Sequence, residues 1–317
     1  MKRLLVTLFM VTVAVSVFAL KKDPAYRDAR RSGALAKIQI RVVDDLGQNV
    51  PNADVNVFMG MNFRPQGYYL KGITNTNGIF VAEGKTCGDE VVIDVNKQGH
   101  YSSSKKLCFA EMGHEHEVKD GKWLPYGAVE TLQLRPIHNP VALCSFGFGA
   151  GKDVPSTNIW IGVDMACGDF IKPYGKGERA DFEVMVEWDG RPPVDSKHCT
   201  AHLRFVGLLS GGYYAANVQE SEYPYVYRAN ANNSFSLRHV KVICRGEERQ
   251  DKECPLGNGN VLVTRTRCVL DEKGRLKSAC YGFIRIFDAD ASWDGNPTMR
   301  LAWIFNGNEN DTNLEAR

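Results

Sequence analysis

The chain has 317 residues, 44% of them hydrophobic and 24% charged, with 39 Lys and Arg against 37 Asp and Glu. Setting aside Lys2 and Arg3 leaves 37 of each sign, a balance that excludes the basic footprint of a nucleic-acid binder or of a protein drawn to an anionic membrane surface. The apolar fraction is that of a globular protein long enough for two ordinary domains, not of a disordered chain.

Lys2 and Arg3 precede an uncharged run from Leu4 to Leu20, and Val17-Phe18-Ala19 places small residues where a signal peptidase reads. Residues 1–19 therefore read as a signal peptide cleaved after Ala19; a retained anchor is the alternative for a run of this length. Export to the periplasm, cell surface or exterior is expected, with no membrane insertion after cleavage. Residues 20–35, carrying Arg27, Arg30 and Arg31, read as a leader segment or short helix.

From there the pattern switches to period two, the mark of half-buried strands. Ile38, Ile40 and Val42 alternate with Lys37, Gln39 and Arg41; Ala53, Val55, Val57 and Met59 alternate with Asp54 and Asn56; Val91, Ile93 and Val95 alternate with Asp94 and Asn96. Leu132 and Leu134 close the series before Pro136. Turn residues punctuate it at Asp45-Leu46-Gly47, Asn49 to Asn52 and Asn75-Thr76-Asn77-Gly78.

Three stretches in this region carry a resemblance: Val42 to Val55 (strand, tight turn, Pro51, strand), Gly72 to Phe80 with its Asn77-Gly78 hairpin turn, and Val95 to Tyr101 with Gly99 breaking the strand. Residues 36–136, about a third of the chain, resemble the carboxypeptidase regulatory-like family, a prealbumin-like β-sandwich. The segment from Cys108 to Tyr126 looks like an insertion in that pattern. The resemblance implies an accessory module with a scaffold or interaction role and transfers no catalytic residue.

Residues 140–306 carry no family resemblance but remain rich in strands. Phe182, Val184, Val186 and Trp188 alternate with Asp181, Glu183, Met185 and Glu187, and Leu203–Phe205, Phe235–Ile243, Val261–Leu270, Tyr281–Phe287 and Leu301–Phe305 add more. Long amphipathic helical runs are absent. The expectation is an all-β protein of two β-sandwich domains, Ig-like or prealbumin-like and then jelly-roll-like, ending in a frayed polar tail at 307–317.

Nine cysteines in an exported chain point to disulfides, and no CxxC pair suggests zinc. Cys87–Cys108 is the simplest bridge in the first half, and Cys244–Cys254, flanking a polar loop, the better local pair in the second. Cys268 and Cys280 sit in a hairpin around Asp271–Gly274, where a symmetric turn puts Cys268 opposite Lys277. An offset of three residues, roughly 10 Å, argues against their bridging.

Catalytic motifs fail on spacing. Phe146 to Lys152 lacks the first Gly and the final Ser or Thr of a phosphate loop, His114 to Val118 lacks the second His of a zinc protease, and no GxSxG occurs. Cys199, between His198 and His202, reads as half of a disulfide rather than a nucleophile. No cofactor is expected. Weak metal candidates are His114 with His116, two apart on an extended segment, and Asp288, Asp290 and Asp294 for calcium; solvated histidines and an Asp-rich turn are the plainer readings.

Tyr213, Tyr214, Tyr223, Tyr225 and Tyr227 are more suggestive. In a strand, Tyr223, Tyr225 and Tyr227 share one face, and Pro224 marks an edge. Exposed, such a row suits a sugar ring; buried, it is an aromatic ladder. Asn232-Asn233-Ser234 and Asn310-Asp311-Thr312 fit the glycosylation sequon. The leading expectation is an exported, non-enzymatic binding or structural protein with a protein or glycan partner. The alternatives are a carbohydrate-binding protein using the Tyr-rich strand and a secreted hydrolase with acids among Asp164, Asp169, Glu183, Glu187 and Asp189.

Overall fold

The computed structural model describes residues 24–60, 68–109, 118–147, 152–191, 199–243, 256, 259–291 and 296–317. The chain divides into two compact units, one of Met1–Val42, Asn49–Val95 and Ser104–Leu132, the other of Val43–Gln48, Asn96–Ser103 and Gln133–Arg317. Both are built from strands. Among the described residues no helix is long and apolar enough to cross a membrane, and the expected signal peptide lies outside those residues.

The first unit opens with a helix, α1 (Pro24–Ser32), followed by β1 (Ala34–Val43), β2 (Asp54–Gly60), β3 (Tyr68–Ile73), β4 (Ile79–Thr86) and β5 (Glu90–Asn96). Then come β6 (Ser103–Cys108), β7 (Val118–Lys119), β8 (Lys122–Trp123) and β9 (Ala128–Gln133). One sheet has the order β4-β1-β8-β7 with β9 also on β1, and the other β3-β2-β5-β6. The period-two residues Ile38, Ile40, Val42, Val55, Val57, Met59, Val91, Ile93 and Leu132 are all buried, because alternate side chains of a strand share a face. The leader is structured from Pro24 on. Tyr26 and Ala29 are buried, Tyr26 meets Trp123 edge to face, and Arg30 pairs with Asp89 at 2.7 Å. The Asn75–Gly78 turn forms as the sequence suggests. Asn75 Oδ1 accepts the amides of Asn77 and Ile79, and Gly78 has φ 69° where a Cβ would lie 2.6 Å from the Val42 carbonyl.

The second unit holds β10 (Cys144–Gly147), β11 (Lys152–Asp153), β12 (Ile161–Asp164), β13 (Asp169–Phe170), β14 (Phe182–Trp188) and β15 (Cys199–Phe205). They are followed by β16 (Gly211–Ala216), β17 (His239–Ile243), β18 (Asn260–Leu270), β19 (Leu276–Ala291) and β20 (Pro297–Asn306). A five-stranded sheet, β13-β12-β14-β15-β17, faces a six-stranded one, β10-β20-β19-β18-β16 with β11 on β20. The core between them takes Phe182, Val184, Val186, Ala201 and Leu203 from one sheet and Ile284, Leu301, Trp303 and Phe305 from the other.

The six-stranded sheet is apolar on its other face too, where Val261, Val263, Phe283 and Ile304 pack with Phe235 and Leu314. This is why Leu301 to Phe305 reads as an unbroken apolar run rather than an alternation. The C-terminal segment covers that face, so the frayed tail expected at 307–317 is corrected. Asn313, Leu314 and Glu315 are buried, and Val141 pairs with Ala316 across a parallel bridge.

The cysteine pairings also change. Cys87 and Cys108 both carry thiols, so the expected Cys87–Cys108 bridge is not formed. Cys87 follows β4 in one sheet and Cys108 ends β6 at the edge of the other. Cys244 and Cys254 lie outside the described residues. Cys199 is disulfide-bonded. Cys268 and Cys280 are thiols, as argued, though the register differs from the symmetric one. Thr266 faces Cys280 and Val269 faces Ser278, a bulge that leaves Arg267 and Cys268 opposite Ala279.

Candidate functional site

The outer face of the five-stranded sheet carries a compact polar constellation. Along β14, Phe182, Val184 and Val186 point to the core, so Glu183, Met185 and Glu187 point outward. Along β15 the outward row is Thr200, His202 and Arg204. The antiparallel register sets Glu183 beside Arg204, Arg204 beside His239, and His202 beside Lys241. Trp160 precedes β12 and meets both imidazoles edge to face, with ring centroids 6.3 Å from His202 and 6.0 Å from His239.

Three of these side chains form one hydrogen-bonded chain. Glu187 Oε2 lies 3.1 Å from His202 Nε2, and His202 Nδ1 lies 3.2 Å from His239 Nε2, with 4° between the ring planes. A carboxylate only accepts, so His202 donates its Nε2–H to Glu187. In the arrangement where His202 carries only that proton, its Nδ1 accepts, His239 donates through Nε2–H, and the lone pair of His239 lies on Nδ1. His202 is nearly buried, 11% exposed, whereas Glu187 is 65% exposed. Burial, then the neighbouring His202, Arg204 and Lys241, pull the pKa of His239 below its ordinary value of 6.5. His239 is thus a neutral base at physiological pH.

The chemistry this permits is proton uptake with displacement. A proton taken at His239 Nδ1 pushes the Nε2 proton of that ring onto His202 Nδ1. The positive charge comes to rest on the imidazolium that already faces the Glu187 carboxylate. Arg204 flanks the chain. Its Nε donates to Glu183 at 2.6 Å and its guanidinium lies 4.1 Å over the Trp160 ring. His202 spends its two nitrogens on opposite edges, so Glu187, His202 and His239 do not converge on one point. Among the described residues no group of three His, Cys, Asp or Glu could hold a metal ion.

The residues singled out from sequence lie elsewhere. Residues 222–227 run through bends rather than a strand, between isolated bridges at Ser221 and Arg228, so the tyrosines do not make a row on one face. Tyr223 and Tyr227 stack at 5.8 Å with 9° between planes, joined by Tyr101 at 5.1 Å from Tyr223, while Tyr225 stands at 89° to Tyr223 and packs on Phe283. Arg135 lies 4.0 Å over Tyr227 and donates to the carbonyls of Tyr223 and Tyr225. The hydroxyls are spent inside. Tyr223 donates to the Leu314 carbonyl, Tyr227 to that of Pro136 at 2.7 Å, and Tyr101 to buried Glu315 at 2.9 Å. Burial pushes the Tyr223 phenol up to about 12 and raises Tyr101 and Tyr227 as well. Tyr213 receives the Asn230 amide at 2.9 Å and Tyr214 packs on the inter-sheet core. Tyr223 is buried and the other rings are partly buried, with Tyr101, Tyr223 and Tyr227 in one stack.

His114, His116, Asp294 and the side chains of Asp288 and Asp290 lie outside the described residues; the backbone at Asp288 and Asp290 belongs to β19, opposite Arg300 and Thr298. The five scattered acids each have their own partner. Asp164 binds Arg267, Glu183 binds Arg204, Glu187 binds His202 and Asp189 binds Arg191, while Asp169 accepts backbone amides. Asp164 and Asp169 stand opposite each other where β12 pairs with β13, each held by its own partners. Sequence reasoning met His202 only as a neighbour of Cys199 and passed over His239. The usable signal was the polar outward row Thr200-His202-Arg204 on an alternating strand.

No protein-family model matches the sequence, and no curated protein does. Among solved structures the chain is similar to catechol 1,2-dioxygenase from Acinetobacter radioresistens, with 12% identity and a TM-score of 0.26 over 34% of this chain and 54% of that one. It is similar to hydroxyquinol 1,2-dioxygenase from Pseudomonas putida DLL-E4, with 11% identity and a TM-score of 0.25 over 33% and 57%. Chlorocatechol 1,2-dioxygenase from Pseudomonas putida follows at 14% and 0.24 over 33% and 60%. The chain spans little more than half the length of these proteins. The expected non-enzymatic binding or structural role, with its glycan-binding and hydrolase alternatives, is not what these neighbours carry, for they are dioxygenases. A likeness of this extent transfers no activity to the chain.

Proposed function

We propose that the outer face of the five-stranded sheet is an acid–base centre that moves a proton on a small bound molecule. The observation that carries this reading is the unbroken chain Glu187–His202–His239, which ends at an exposed imidazole on the strand face. Glu187 fixes the tautomer of His202, His202 fixes that of His239, and His239 Nδ1 is the base.

The test is solvent deuterium incorporation into a panel of small carbon acids, followed by proton NMR. Wild type exchanges at least one of them at pH 7.5, and His239→Ala loses about 100-fold or more of that rate, the usual worth of a positioned base. The rate falls as pH drops through the depressed pKa of His239, because the protonated ring has no lone pair to offer; the acid limb therefore sits below pH 6.5. If wild type exchanges no panel member faster than His239→Ala does, the reading fails.

We also propose export, supported by the Lys2-Arg3 head, the uncharged run Leu4 to Leu20 and Ala19 at the cleavage position. N-terminal sequencing of the natural product should begin at Leu20. A natural product still beginning at Met1 would overturn the cleavage.

A further inference from the structure

We infer that the molecule held at this centre is a small carboxylate, gripped by Arg204. The inference takes the acid–base reading as its starting point and adds the substrate class.

Arg204 is 46% exposed, yet it is held on two sides, with Nε on Glu183 at 2.6 Å and its plane on Trp160 at 4.1 Å. An exposed arginine commonly loses rotamer freedom when it binds. Here that ordering is already made by an ion pair and a cation–π contact on one rigid sheet. Its two Nη groups have no acceptor among the described residues. Four N–H donors in a fixed plane match the two oxygens of a carboxylate, the geometry of a bidentate pair.

The placement relative to the base is direct. Arg204 and His239 are cross-strand neighbours in register, and Trp160 touches both, by stacking on the guanidinium and by its edge on the imidazole. A carboxylate on the Arg204 fork therefore sets the rest of a small molecule beside His239. Glu183 offsets the charge of Arg204, so the fork recognises by shape and donor geometry rather than by net positive charge. Polyanions are disfavoured by Glu183 and Glu187 on the same face.

The experiment is calorimetric titration of the full chain with benzoate and with benzamide, its neutral isostere, at pH 7.5. The His202 and His239 imidazole nitrogen resonances are recorded on the same samples. Benzoate binds wild type and benzamide does not, and Arg204→Lys, which keeps the charge but not the fork, weakens benzoate about tenfold or more. The imidazole resonances of Arg204→Lys keep the wild-type tautomers, showing that the loss is not one of folding. Equal binding of benzoate by wild type and Arg204→Lys, or equal binding of benzoate and benzamide, overturns the inference. Benzoate binding that depends on Arg204, in a chain that catalyses no deuterium exchange, upholds the carboxylate fork and sinks the acid–base reading alone.

Discussion

Asp181→Ala is expected to lower the unfolding free energy by about 3–5 kcal/mol, read as a fall in the urea midpoint at unchanged slope. Asp181 is buried and accepts Arg267 Nε at 2.8 Å and Nη2 at 2.9 Å, while Asp164 accepts the same Nη2 at 2.8 Å. The pair of acids leaves one negative charge over, and backbone amides absorb it. Met165 donates to Asp181; Ala166, Cys167, Glu178 and Arg179 donate to Asp164. Arg267 reaches this position from the β18 bulge with φ 53°, a backbone state that a non-glycine residue keeps only when its surroundings hold it there. Removing Asp181 leaves a guanidinium half satisfied between two sheets, which costs far more than a surface pair is worth. Glu272→Ala, on the exposed hairpin turn, serves as the neutral comparison. An Asp181→Ala midpoint no lower than that of Glu272→Ala would falsify the account.

The same network predicts acid sensitivity. Burial alone raises the pKa of Asp164, but the amides of Glu178, Cys167 and Arg179 together with Arg267 hold it below the ordinary 3.8. A depressed carboxylate contributes stability that is fully present above the unfolded value and is lost as pH falls through the folded one. The Asp164 contribution is therefore intact at neutral pH and disappears only below about pH 4. An Asp164→Asn variant should show a shallower loss of stability than wild type over that acid range.

Leu314→Ala is expected to cost about 2–5 kcal/mol, although the segment around it is mostly polar. Leu314 is fully buried among Val261, Val263, Phe283 and Ile304. Its backbone is tied on both sides, since its amide donates to Tyr227 at 2.7 Å and its carbonyl accepts the Tyr223 hydroxyl. Glu315, buried next to it, accepts Tyr101 and the amides of His138 and Asn139. Truncating Leu314 thus opens a cavity under a strap that cannot collapse freely. The exposed Glu309→Ala in the same segment should leave the midpoint within about 0.5 kcal/mol of wild type. Equal midpoints for Leu314→Ala and Glu309→Ala would show that the segment is a passive tail.

Much of the fold was legible because strand burial is a local, period-two property. Ile38, Ile40 and Val42, or Phe182, Val184 and Val186, reveal their inward face within six residues, and the Asp271–Gly274 turn announces its hairpin. The all-β class followed from repeating that reading along the chain. The site was not legible, because His202 and His239 are 37 residues apart and meet only when β15 and β17 pair in one register. Nothing within either strand specifies its neighbour. The same limit applies to the bulge at Arg267, which shifts the hairpin off its symmetric register, and to the stacked tyrosines, which bends turn inward where a strand would have shown a face. The tail reads as polar because its side chains are mostly polar. Its burial was decided by a sheet apolar on both faces, which only the assembled core reveals. Local alternation determines which way a side chain points; long-range pairing determines what it meets there.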